Sequence, residues 1–201
     1  SERIARTCRC TVPAPYPDRP DIIIEGIPRS GWYQRSKSPD CSYFSSSSFH
    51  NSSLRHGLLL KLEALMMVAS QSQPGKVMGV FKGASITIPP LDVTKARGLI
   101  AKLLPLYHLA LQIPLLISLA EDYSPEEALD TARQKWSEPP HNSSPPPESE
   151  NTATRIAFRG LDDPWTWKPG IQAPFLPDED LPLAWRVAKF IGKWADAIPI
   201  S

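Results

Sequence analysis

With 201 residues, 41% of them hydrophobic, the chain is long enough to close one core, or one core with extended flanks. Lysine and arginine number 22 against 21 acidic residues, so the formal net charge of +1 selects no partner and any nucleic-acid contact has to come from local arrangement. The 23 prolines against 10 glycines, with clustered serines, point to loops and interrupted elements rather than an idealised fold.

Residues 1–20 read as a disordered tail, because Pro13, Pro15, Pro17 and Pro20 prevent a helix and disfavour a central strand. Its first ten residues, SERIARTCRC, lack the apolar core of a signal peptide, and an opening on Ser1 reads as a piece of something longer. DIIIEGI (21–27) is the first expected strand and GWYQRSK (31–37) the second, with Pro28 to Ser30 turning between them. The serine-rich stretch 38–53 reads as a mobile insert. LRHGLLLKLEALMMVAS (54–70) is a helix of about four turns, with apolar residues at 54, 58, 62, 65, 66 and 69 forming one stripe. Two short strands follow, 76–82 and 84–89, turning at Gly83 and closed by Pro89 and Pro90.

Asp92 is placed to cap the next helix, whose apolar positions are 93, 96, 100, 103, 107 and 111. Pro105 sits inside it and is expected to kink it, and Pro114 to end it or kink it again. Ser124, Pro125 and Glu127 supply an N-cap, a first-turn proline and a capping box for a helix over 124–136. Residues 137–151 read as a second mobile insert. TATRIAFRG (152–160) alternates like a strand, with Ala153, Arg155, Ala157 and Arg159 on one face and Ile156 and Phe158 on the other. A last helix near 180–198 carries apolar residues at 184, 187, 188, 191, 194 and 198. The order β-β-α-β-β-α-α-β-α is an α/β or α+β arrangement, with helices packed on one small mixed sheet.

The long apolar run over residues 99–120 contains Lys102, His108, Gln112 and two prolines, so it reads as a buried helix and not a membrane span. Cys8, Cys10 and Cys41 form a sparse, odd set that His50 and His56 do not complete to a zinc pattern. Ordinary reduced thiols, and with them a cytoplasmic setting, are the expectation.

Metal-dependent cleavage of the restriction-endonuclease type needs an acid at a strand end, and an acid or amide two residues before a lysine. The residues two before the ten lysines are Arg35, Leu59, Pro74, Val80, Val93, Ile100, Arg133, Thr166, Val187 and Ile191. None is an acid or an amide. Asp162 and Asp163 follow the expected strand, but neighbouring side chains diverge in extended structure, so an Asp-Asp-Pro turn is the better reading. No GxSxG, phosphate-cradling glycine loop or HExxH is present. His108, mid-helix between apolar neighbours, reads as a packed or surface histidine.

Several strings in one order resemble the C-terminal domain of RecC, the gamma subunit of exodeoxyribonuclease V (the RecBCD helicase–nuclease). They are IEGIPRSGWYQRS, RHGLLLKLEALMMVAS, ITIPPLDVTKARGLIAKLLPLYHLALQIPLL, ALDTARQKW and RIAFRGLDDPW, collinear over about residues 21–198. The resemblance implies a restriction-endonuclease-like fold over 21–201 that has lost its metal site. It also implies RecB-like and RecD-like partner subunits, and contact with double-stranded DNA ends and single-stranded DNA in double-strand break repair and recombination. Magnesium and ATP would then serve those partners, with no cofactor bound by this chain and no membrane involved. The serine and proline inserts depart from the family, and the helix 54–70 lacks its tryptophan.

The expected function is a noncatalytic domain that guides strands and docks subunits. Arg155 and Arg159, with Trp165 and Trp167 close behind, and the pair Trp32 and Arg35, are the candidates for phosphate contact and base stacking. The alternative for each is a solvated arginine or a core tryptophan. Two other functions stand beside this one: a small metal-dependent nuclease, and a docking-only module from a truncated gene, whose apolar helix face over Leu103 to Leu116 needs a partner.

Overall fold

The computed structural model describes residues 2–4, 7–16, 18–26, 32–34, 42–46, 54–70, 76–81, 84–115, 130, 133, 136, 152–159, 161 and 163–200. They form a small mixed α/β fold in two compact units, residues 1–106 with 194–201, and residues 107–193. Among the described residues the strands make three separate ladders instead of one sheet.

In the first unit, β1 (Glu2–Ile4) pairs antiparallel with β4 (Trp32–Gln34), and β2 (Cys8–Val12) pairs antiparallel with β3 (Ile22–Gly26). The expected tail thus contributes two strands. Its prolines lie after Val12, in the connection, while Cys8-Arg9-Cys10-Thr11-Val12 alternates with a period of two. The buried residues are Cys8, Cys10 and Val12, with free cysteine acting as a small hydrophobe. On the outer face Arg9 lies opposite Glu25, 3.7 Å away, an exposed pair worth little. The two strands expected around Pro28 therefore do not pair with each other; each takes a partner from the first twelve residues.

The third ladder, β5 (Ser42–Ser46), β6 (Lys76–Phe81) and β7 (Ala84–Ile88), is mixed. Ser42 to Ser46 lie within the expected mobile insert 38–53, yet they pair parallel to Lys76 to Val80. Tyr43 and Phe44 supply strand propensity that the serine count hides. A parallel pair needs a long crossover, and α1 (Leu54–Ala69) provides it. The return from β6 to β7 is antiparallel, with Val77 opposite Ile88 and Phe81 opposite Ala84.

α1 runs where its pattern places it, but the buried face is not the expected stripe. Leu60, Lys61, Ala64, Leu65, Met67, Val68 and Ala69 are buried, while Leu58, Leu62 and Met66 are only half-buried. A helix apolar on most of its circumference does not select its own inner face; packing does. Its last turn is finished by side chains: Ser70 Oγ donates to the Met67 carbonyl and Arg97 Nε to that of Ala69.

α2 (Val93–Ala110) starts on the expected cap, the Asp92 carboxylate accepting the Lys95 amide at 2.9 Å. It continues through Pro105, whose ring nitrogen has no hydrogen to donate back to Ala101. Ala96 and Ile100 are buried as expected, but Leu99 and Leu104 replace 103, and Tyr107 and Leu111 are exposed. The inner face of α1 and the last segment of the chain meet in one core: Trp194, Ala195 and Ile198 join Leu60, Leu65, Val77, Ile88, Leu99, Leu104 and the β2 face. Two long-range hydrogen bonds pin that segment, Trp194 Nε1 to the Leu99 carbonyl at 2.9 Å and Lys61 Nζ to the Ala195 carbonyl at 2.7 Å.

In the second unit, residues 152–157 are a helix, α3 (Thr152–Ala157), where alternation suggests a strand. A strand needs a neighbour to take its amides and carbonyls, and no other strand lies among the described residues of this unit. Threonine, alanine and arginine accept a helical turn, and six residues are too few for periodicity to choose. Asp130, Arg133 and Trp136 are helical, within the helix expected over 124–136, while the capping residues Ser124, Pro125 and Glu127 and residues 137–151 lie outside the described residues. The last helix, α4 (Leu183–Asp196), keeps its expected stripe, with Ala184, Val187, Ile191 and Trp194 buried and Ala188 half-buried. None of the described helices is long and apolar enough to cross a membrane.

Burial acts on three titratable groups of the first unit in opposite senses. It pushes the Cys8 thiol above its ordinary 9.0, a Ser70 hydrogen bond pulling back, and raises Cys10 against the pull of Arg97. It lowers Lys61 below 10.5, against the pull of Asp196. The thiols' contribution to stability is complete below the unfolded value of 9.0 and is lost as pH rises through their raised folded values. Buried Lys61 costs stability while charged, and that cost fades as pH climbs from its lowered value toward 10.5. Between about pH 8 and about pH 10 the urea midpoint of Lys61→Met, which lacks the opposing group, is therefore expected to lose more than that of the parent. Equal or smaller loss in that variant would contradict the assignment.

Candidate functional site

The expected DNA-contact residues divide sharply. Arg155 in α3 and Arg159 in the turn after it are exposed, and so is Ile156, at 70%, between them. Phe158 continues the helical bonding, its amide donating to the Thr154 carbonyl at 2.9 Å. A helical turn, and not strand alternation, relates the two arginines, which stand four residues apart.

Trp165 goes the other way. It is 6% exposed and packs with Ala184, Trp136 and Trp185. Trp136 stands edge-on to both Trp165 and Phe158, with ring centroids 6.1 and 6.0 Å apart. A ring enclosed in this way has no face to offer a base, so Trp165 is a core residue and leaves the stacking candidates. Its Nε1 has no hydrogen-bond partner among the described residues. Trp167 is half-buried, and its carbonyl accepts the Leu183 amide at the start of α4, which ties it to that helix end. Trp32 is a strand residue paired with Ile4, and Arg35 lies outside the described residues.

Asp162 also lies outside the described residues. Asp163 is bonded within the chain itself. Its Oδ1 accepts the Trp165 amide at 2.9 Å, and its Oδ2 accepts Arg133 Nη2 at 2.8 Å. Its carbonyl takes the Thr166 amide and hydroxyl. This is the bonding of an aspartate that shapes a turn, with the added role of anchoring the helical segment through Arg133.

Two residues of this region carry more than their sequence positions announce. Arg133 lies thirty residues from its partner, and only a contact in space relates them. Arg186 is buried inside α4 and donates to three carbonyls of the preceding loop, Ala173, Leu176 and Pro177, at 2.9, 3.4 and 3.1 Å. Nearby, Lys189 pairs with Asp178 at 2.8 Å, and Asp178 takes a positive φ of 51°. An arginine within an apolar stripe is the one sequence signal that could have marked Arg186. Among the described residues no group of three or more His, Cys, Asp and Glu gathers as for a metal ion. No protein-family model matches the chain, and no curated protein matches its sequence.

Proposed function

We propose that the chain is a noncatalytic, DNA-guiding and subunit-docking domain of the kind found at the C-terminus of RecC, with RecB-like and RecD-like subunits as partners. The observation that carries this reading is the contrast between Asp163 and its surroundings. The carboxylate best placed by sequence for metal chemistry is bonded to Arg133 and to its own turn. Arg155 and Arg159, next to it along the chain, stay exposed. Exposed arginines suit phosphate contact, and the exposed Ile156 between them suits an apolar partner surface. The crossover pair β5–α1–β6 with antiparallel β7 supports a restriction-endonuclease-like ancestry as part of the same proposal.

Fluorescence anisotropy with a labelled forked duplex tests it. Binding is expected to weaken with salt, and Arg155→Ala and Arg159→Ala are each expected to reduce the slope of log affinity against log salt by about one. Trp165→Phe is expected to leave that slope unchanged. Affinity and slope untouched by both arginine variants would remove this surface from the proposal.

A further inference from the structure

The chain passes between its two compact units twice, from Leu106 to Tyr107 and from Lys193 to Trp194. Neither passage is a loop. The first lies within α2 and the second within α4, so two continuous helices make both connections. Helical connections act as semi-rigid spacers. Each of these helices, however, holds its poorest helix former beside its passage. Pro105, the one proline of α2, stands directly before Leu106. It gives the Ala101 carbonyl no amide to accept, and its ring crowds that carbonyl. Gly192, the one glycine of α4, stands directly before Lys193. It is exposed, and a Cβ there would meet nothing within 4 Å, so packing does not call for glycine although alanine would strengthen the helix.

The arms on either side of these positions are fixed. Before Gly192, Ala184 packs with Trp165, and Arg186 bonds the carbonyls of Ala173, Leu176 and Pro177. After it, Trp194 donates to the Leu99 carbonyl and the Ala195 carbonyl accepts Lys61. In α2, Leu99, Ile100 and Leu104 seat the helix in the first core up to the residue before Pro105. We infer that Pro105 and Gly192 are paired hinges, at which α2 and α4 bend together so that the two units change their mutual orientation without either core opening. The double connection couples them, since neither unit turns on one helix while the other stays straight. Arg155 and Arg159 belong to the second unit, so the bend redirects their exposed surface.

Native-state hydrogen exchange on the full chain, followed amide by amide by NMR, tests this. The amides of Leu106, Tyr107 and His108, and those of Lys193, Trp194 and Ala195, are expected to exchange about tenfold faster than those of Ile100 and Val187. Gly192→Ala is expected to slow both sets about fivefold, the ordinary gain of alanine over glycine in a helix, passed to α2 through the shared bend. Gly98→Ala, equally open but away from the passage, is expected to leave the α4 set unchanged. Even protection along both helices, a Gly192→Ala effect confined to α4, or the same slowing of the α4 set by Gly98→Ala would each overturn the paired hinge.

Discussion

Trp194→Ala is expected to lower the unfolding free energy of the first unit by about 4 kcal/mol, the cost of emptying a large aromatic site that collapses only in part. Trp194 is 6% exposed and lies in the same cluster as Leu99, Leu104 and Ile198. Its indole also donates to the Leu99 carbonyl, one of two bonds that hold the last segment of the chain. Trp194→Phe separates these contributions. It keeps most of the apolar contact and loses one neutral hydrogen bond, about 1 kcal/mol, because Leu99 lies inside α2 where the helix supplies its carbonyl with another donor. Urea unfolding followed by circular dichroism reads both. An alanine variant within about 1 kcal/mol of the parent would mean that residues 1–106 hold their core without the final turn.

The second large effect falls on Arg186. Arg186→Met is expected to cost about 3 kcal/mol, since three loop carbonyls lose a charged donor and nothing of equal length replaces it. The opposing consideration is desolvation: methionine removes a buried charge, and such replacements can stabilise when the charge was poorly paired. Three carbonyls at 2.9 to 3.4 Å decide for loss, because the guanidinium fork serves them together. Arg186→Lys is expected to recover less than half, as one ammonium has no planar fork to span Ala173, Leu176 and Pro177. Thermal unfolding measures both. A methionine variant with an unchanged or higher midpoint would show that desolvation outweighs the bonds.

Elements with long patterns and clear punctuation were legible from sequence. The helix over 54–69, the strands around Gly83, the helix capped by Asp92 and the final amphipathic helix stand within a few residues of where the pattern puts them. What escaped did so for identifiable reasons. β2 was hidden because its inward residues are two cysteines and a valine, counted as thiols and as part of a proline-rich tail. β5 was hidden because serine composition outweighed Tyr43 and Phe44, and a parallel partner 34 residues away leaves no local trace. Residues 152–157 alternate over so short a span that only the presence of a pairing edge could decide, and the sequence contains no record of one.

The site was legible to the same uneven degree. Asp-Asp-Pro reads as a turn from local chemistry, and the Asp163 bonds have that character. Which tryptophan of the pair is enclosed depends on Trp136 and Ala184 arriving from elsewhere in the chain, so Trp165 could not be told from Trp167 by proximity to arginines. The role of Arg133 is equally nonlocal.

We propose that this chain engages branched DNA without cutting it, and a cleavage assay addresses that directly. End-labelled forked duplex, incubated with the purified chain and magnesium or manganese, is predicted to be bound and recovered intact. Strand scission that requires the divalent ion and disappears in Asp162→Ala or in a folded Asp163→Ala variant would contradict the account.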